Sequence, residues 1–132
     1  MRMPIRWGDM DLLGHVNNTV YFRYIESARI AWLEEVDGAI FPSDRAEGPV
    51  VANAYCSFKK PLKYPGEIEV TTYVGPAGRS SFEVTHEIRL VGPDGNAGAI
   101  YAEGGAKVVW IDYTKEKSVR LPDGVRALLP AA

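Results

Sequence analysis

The sequence predicts an α+β fold in which one long helix is covered by an antiparallel sheet of about five strands, and three observations carry it. From Val20 onward apolar residues recur every three or four positions, the spacing of a helix with one buried face. After residue 49 the pattern changes to strand-like stretches, four in all. Between them stand chain-reversing clusters, Lys60-Pro61, Gly75-Pro76-Ala77-Gly78 and Gly92-Pro93-Asp94-Gly95. The order is β-α-β-β-β-β.

A short opening strand is placed over Met3 to Trp7. Asp9 and Asp11 then precede the Gly14 turn, and Asn17 or Asn18 caps the helix. Its buried stripe is Val20, Tyr21, Tyr24, Ile25, Ala28, Trp32 and Leu33, with Arg23, Glu26, Arg29 and Glu34 as interleaved polar positions. Val36-Asp37-Gly38 supplies a stop near Gly38. Residues 39 to 49 hold two prolines, a glycine and several charges without a clear period, and read as a connecting loop or lid.

Val50 to Phe58 is the next strand. Glu67 to Val74 follows, with Ile68, Val70, Thr72 and Val74 on one face. The strand from about Ser80 to Val91 sets Phe82, Val84, His86, Ile88 and Leu90 against Glu83, Thr85, Glu87 and Arg89. The last, from about Ala99 to Asp112, aligns Ile100, Ala102, Gly104, Ala106, Val108 and Trp110, where small residues leave room for a helix or ligand. The tail from Leu121 to Leu129 is expected to add a short turn of helix on the edge, with a structural role only.

The size, 132 residues, is that of a single domain spanning 1–132. At 46% hydrophobic and 24% charged, with no apolar run near the roughly 20 residues of a membrane span, the composition is globular and membrane insertion is not expected. No export signal is read at the N-terminus, so the expected compartment is the cytoplasm. The lone Cys56 excludes an intrachain disulfide and any multi-cysteine metal site, and it reads as a packing residue. A net charge of −2 without a basic block excludes the electrostatic footprint of a nucleic-acid binder.

The most informative stretch is Arg6 to Arg29, where an acidic pair and a glycine turn run into a helix start. A carboxylate beside free helix N-terminal N–H groups joins a nucleophile or base to an oxyanion site, a combination suited to acyl transfer or ester hydrolysis. On position alone Asp11 reads first as a turn or capping aspartate, since Asp before a Gly turn is ordinary. In an extended segment Asp9 and Asp11 point to opposite faces, so Asp9 is expected to be structural and a paired-carboxylate glycosidase is excluded.

The segment Asp11-Leu12-Leu13-Gly14-His15-Val16-Asn17-Asn18, followed by Tyr21 and Glu26-Ser27-Ala28-Arg29, resembles the hotdog-fold acyl-CoA thioesterases of the 4-hydroxybenzoyl-CoA thioesterase type. Phe58-Lys59-Lys60-Pro61-Leu62 and Gly78-Arg79-Ser80-Ser81-Phe82 extend the resemblance, which covers about Ile5 to Asp112. It implies a helix wrapped by a curved sheet, and a homo-oligomer (dimer or tetramer) whose chains pair their sheets and build the sites between them. It also implies acyl-CoA as substrate, Asp11 as the catalytic carboxylate and the Asn18 N–H as the donor that polarises the carbonyl. No cofactor is implied. Several members carry basic side chains where Arg79-Ser80-Ser81 stands, and these grip the coenzyme A phosphates. Here one arginine remains beside serines that also donate to phosphate, and Lys59, Lys60 and Lys63 are further cations.

Gly14 is expected to let the chain approach the carbonyl. His15 orients the carboxylate, binds substrate or bonds the loop, while Asn17 and Asn18 fix the helix N-terminal N–H groups. Tyr21 is core or pocket wall rather than an acid. His86 is an interior histidine or lines the acyl pocket. Metal binding is not expected, because His15 has no second histidine at helical spacing and His86 is its only counterpart. Ser80 and Ser81 lack a nucleophile elbow, and the glycines form no phosphate-loop pattern.

Two other functions share this fold. One is a thioesterase acting on acyl-carrier protein, separated by comparing one acyl group on both carriers. The other is a non-catalytic acyl-CoA or lipid-binding protein, which would bind without hydrolysis.

Overall fold

The computed structural model describes residues 1–37 and 46–131. Along them run β1 (Arg2–Ile5), a 3-10 turn (Trp7–Asp9), α1 (Asn18–Asp37), β2 (Glu47–Phe58), β3 (Gly66–Val74), β4 (Ser81–Val91), β5 (Ala97–Asp112), β6 (Lys117–Ser118) and α2 (Asp123–Arg126). The strands lie antiparallel in the order β1-β3-β4-β5-β2, with β6 paired to the end of β5. One long helix against a curled antiparallel sheet is the hotdog arrangement.

Alternation along the strands sets the helix-facing layer. In β4 the side chains of Phe82, Val84, His86 and Ile88 are buried, and in β5 those of Ala102, Ala106, Val108 and Trp110. Burial of this apolar face drives the docking of α1. Its first half, through Tyr21, Tyr24, Ile25 and Ala28, packs with Ile5, Leu62, Ile68, Val70, Ile88 and Ala102. Its second half, through Leu33, packs with Phe82, Val84, Val108 and Trp110. Between the two, Gly104 leaves space that a side chain would remove. A Cβ there would stand 2.6 Å from Ile25 Cδ1 and 2.7 Å from the Tyr55 carbonyl oxygen. Glycine is what lets helix and sheet touch at that point.

The helix and the β3, β4 and β5 strands lie where the periodicity places them, to within one or two residues. Four differences have physical reasons. The opening strand stops at Ile5, because the Asp9 carboxylate accepts the Arg6 N–H and folds Trp7–Asp9 into a 3-10 turn. The strand expected from Val50 begins at Glu47, and Pro49 sits inside it opposite Trp110, as an edge strand permits. Arg29, one of the interleaved polar positions, is buried, and its burial lowers the guanidinium's affinity for its proton, with Glu26 opposing. The tail does not stay on the edge, since Leu121, Val125 and Leu129 enter the core beside Leu33 and Trp110. The stop at Gly38 and most of the expected loop lie outside the described residues.

Candidate active site

Residues 10 to 17 form a tight loop ahead of α1. Met10 bridges to Val16, the Asp11 N–H donates to the His15 carbonyl at 3.0 Å, and the Gly14 N–H donates to the Asp11 carbonyl at 3.1 Å. Gly14 has φ +77°, a left-handed conformation that favours glycine. One oxygen of Asp11, Oδ1, accepts the Leu13 N–H at 2.9 Å, so the carboxylate is held over its own turn. Among the described residues its second oxygen has no donor.

The helix start is capped by Asn17 rather than Asn18. Asn17 Oδ1 accepts the Thr19 N–H at 2.9 Å and the Thr19 hydroxyl at 2.7 Å, and the Asn17 carbonyl accepts the Val20 N–H. This cap occupies the second helical N–H and leaves the first. Among the described residues the Asn18 N–H has no acceptor, and it stands at the positive end of the helix dipole.

The facing wall is the segment from Phe58 to Pro61, which β5 and α1 both fix. Lys59 and Lys60 donate their N–H groups to the Tyr101 carbonyl at 2.9 and 3.1 Å. Leu62 donates its N–H to the Tyr21 hydroxyl at 3.0 Å and accepts the Val16 N–H at 2.8 Å. Tyr21 is buried, edge-on to Phe58 with ring centroids 5.0 Å apart, and its burial raises the phenol's pKa. It is a wall residue and a poor acid. These elements enclose an open cleft of about 430 Å³ lined by Asp11, His15, Asn18, Tyr21, Lys59 and Lys60.

Asp9 faces away from this cleft. It is buried, and its Oδ2 accepts the Arg6 N–H at 2.9 Å and the Tyr24 hydroxyl at 2.7 Å, while Arg6 Nη2 lies 3.4 Å from Oδ1. Burial and this bond hold the Tyr24 proton firmly in place. Asp9 therefore anchors the loop that carries Asp11.

The cationic candidates separate. Lys60 lies in the cleft, its Nζ 5.6 Å from the Tyr101 ring centroid, and Lys59 pairs with Glu103 at 3.8 Å. Arg79, Ser80 and Ser81 lie at the opposite end of the sheet. Ser81 pairs with Val109, whereas Phe58 pairs with Ala102, a separation of seven residues along β5 or roughly 23 Å. There the Arg79 carbonyl accepts from Leu121 and from Arg126 Nη2, so the turn is tied to α2. Within one chain these three residues are not part of the cleft.

His86 is interior, and only one side of its ring is bonded. Its Nδ1 is 3.1 Å from Thr72 Oγ1 and its Nε2 has no partner among the described residues, and burial reinforced by the Arg29 charge lowers its pKa to about 4. Burial likewise pushes the Cys56 thiol up to about 11, the condition of an unreactive packing residue. Among the described residues no cluster of three metal-ligating side chains occurs, and no helix is long and apolar enough to cross a membrane.

Sequence reasoning missed the other side of the Asp11 loop. A second cleft, about 670 Å³, opens there between Trp7 and Tyr64, with Asp11 common to both. The available signal was a tryptophan next to the acidic pair, which strand patterning absorbed.

Comparisons with known proteins place the fold among thioesterases. The PA2801 protein of Pseudomonas aeruginosa, a thioesterase candidate, is 39% identical with a TM-score of 0.85, over 96% of this chain and 94% of that one. An acyl-CoA thioesterase candidate from Xanthomonas campestris is 40% identical with a TM-score of 0.70, over 85% of this chain and 92% of that one. The gentisyl-coenzyme A thioesterase BH1999 is 25% identical with a TM-score of 0.78, over 96% and 98%. The thioesterase-like superfamily matches residues 5–129, so the chain with its Asp11 loop and capped helix belongs to that superfamily.

Proposed function

We propose that this protein hydrolyses acyl-coenzyme A thioesters to a free carboxylic acid and coenzyme A, with Asp11 as the catalytic carboxylate. The observation that carries the reading is the pairing, in one cleft, of a carboxylate with a free oxygen and the unbonded Asn18 N–H. The thioester carbonyl lies between them, its oxygen toward the Asn18 N–H. Asp11 attacks the carbonyl carbon as nucleophile, or takes a proton from a water that attacks. Negative charge collects on the carbonyl oxygen and is met by the Asn18 N–H and the helix dipole. The carbon–sulfur bond then breaks, and the thiolate leaves and gains a proton. In the nucleophilic route a water then cleaves the acyl-Asp11 anhydride, returning the Asp11 carboxylate and the free acid.

The superfamily match and the named acyl-CoA thioesterases among the neighbours support thioester hydrolysis. Lys60, with Lys59, supplies positive charge at the cleft for the coenzyme A phosphates, and His15 and Tyr21 shape its floor. Two copies complete the site. β2 is an edge strand of the sheet with Val51, Tyr55 and Phe58 exposed, a surface suited to strand pairing. Antiparallel pairing of two β2 edges sets the Glu47 end of one copy beside the Phe58 end of the other. It carries the partner's Arg79, Ser80 and Ser81 toward the first copy's cleft.

The test is release of free thiol from a panel of acyl-CoA substrates. Asp11→Asn is expected to lower kcat at least about 100-fold while the fold and assembly persist. Hydrolysis at the wild-type rate would overturn the assignment. Single turnover in oxygen-18 water then tests the nucleophilic route, because label enters Asp11 only where water cleaves an acyl-Asp11 anhydride at the Asp11 carbonyl.

A further inference from the structure

A thioester carbonyl carries two arms of different chemistry, and Asp11 stands where two clefts meet, of which one has lysines in its wall and the other has none. One arm, beyond the sulfur, ends in phosphates. The other is the acyl group. The cleft on the α1 side of Asp11 has Lys59 and Lys60 in its wall, beside the apolar Leu13, Val16 and Phe58. The cleft on the other side is walled by Trp7, Met10, Leu12 and Tyr64 and has no charged side chain besides Asp11 itself. On the basis of the thioesterase reading above, we infer that this second cleft is the acyl subsite, and that Trp7 and Gly8 set which acyl groups are accepted, favouring apolar groups larger than acetyl.

Three features support the assignment. Trp7 is 76% exposed, Leu12 is fully exposed and Tyr64 is about half exposed, so a group of large apolar side chains beside the carboxylate is left with surface to bury. Burying it against an apolar ligand is favourable at about fourfold in affinity per methylene. The two walls of the cleft are also joined. The Tyr64 N–H donates to Met10 Sδ at 3.4 Å, which ties its two walls together. Finally, Gly8 lines the cleft without a conformational reason to be glycine. Its φ lies outside the left-handed region, and a Cβ placed on it meets no atom within 4 Å. The absent side chain leaves open space at a position on the cleft's lining.

The experiment measures kcat/KM by free-thiol release for acetyl-, octanoyl- and phenylacetyl-CoA, with wild type, Gly8→Leu, Trp7→Ala and Lys60→Ala as full-length chains. Wild type is expected to favour octanoyl or phenylacetyl over acetyl by at least about tenfold, and the better of the two tells an aliphatic from an aromatic occupant. Gly8→Leu fills the cleft and is expected to reduce that preference at least about tenfold. Trp7→Ala, at an exposed position that the fold tolerates losing, reduces it several-fold. Lys60→Ala raises KM for all three substrates by a common factor. An active enzyme whose Gly8 and Trp7 variants scale all three substrates alike, or a wild type that prefers acetyl, overturns the subsite assignment alone. Absence of thiol release from every acyl-CoA overturns the thioesterase reading and this inference with it.

Discussion

Tyr24 donates its hydroxyl proton to Asp9 across 2.7 Å, and both residues are buried between α1 and the loop that precedes it. A hydrogen bond to a charged group in such a setting contributes about 1.5–3 kcal/mol, and removing the carboxylate leaves both Tyr24 and the Arg6 N–H without an acceptor. Tyr24→Phe is expected to lower unfolding free energy by about 2 kcal/mol and Asp9→Ala by more, measured by urea denaturation. The folded fraction of the Tyr24→Phe variant should still hydrolyse thioester, which separates the anchoring aspartate from Asp11.

Asn17 has two duties that substitution can divide. Asn17→Ala removes the cap and should cost about 1 kcal/mol of stability. It should also lower kcat, because the Asn18 N–H loses its fixed direction. Asn17→Asp restores the cap and the stability, but places a negative charge beside the developing oxyanion, so kcat should stay low. Recovery of both quantities in Asn17→Asp would count against the oxyanion role.

The Gly104 contact predicts a stability effect far from the chemistry. Gly104→Ala forces a methyl against Ile25 and the Tyr55 carbonyl and should destabilise by about 1–3 kcal/mol. Combining it with Ile25→Ala relieves only the side-chain part of the clash. The double variant should therefore lose less than the two single losses added together.

His86 gives the protein an acid sensitivity of defined sign. Its folded pKa of about 4 lies below the ordinary value of 6.5, so the folded state holds it neutral where the unfolded chain is already protonated. Stability is therefore full above about pH 6.5 and is lost as pH falls toward 4, by up to about 3 kcal/mol. Unfolding free energy measured between pH 7 and 4 should fall in this window. His86→Gln, which cannot take up the proton, should flatten that part of the curve.

The parts of the fold legible in the sequence are those whose burial repeats at short range. The stripe from Tyr21 to Leu33 and the alternation of β3, β4 and β5 each report one buried face. Trp7 was misread as strand because a three-residue turn has no period, and what folds it is the reach of the Asp9 side chain back to Arg6. Pro49 argued for loop because a proline breaks a central strand, and only the sheet order reveals that β2 is an edge. That Asp11 and Asn18 share one end of the helix was legible, being local. The remoteness of Arg79 was not, since it depends on which end of β4 and β5 faces α1's start, a property of the whole sheet.

The bond from the Leu62 N–H to the Tyr21 hydroxyl joins residues 41 positions apart. Lys59 and Lys60 next to it are held in turn by the Tyr101 carbonyl of β5, so the cleft wall is complete only once the sheet has closed. Activity in this protein is consequently a gauge of complete folding. A nascent chain that has made α1 and β2 but not β5 has Asp11 and the capped helix, yet no surface to hold a substrate against them.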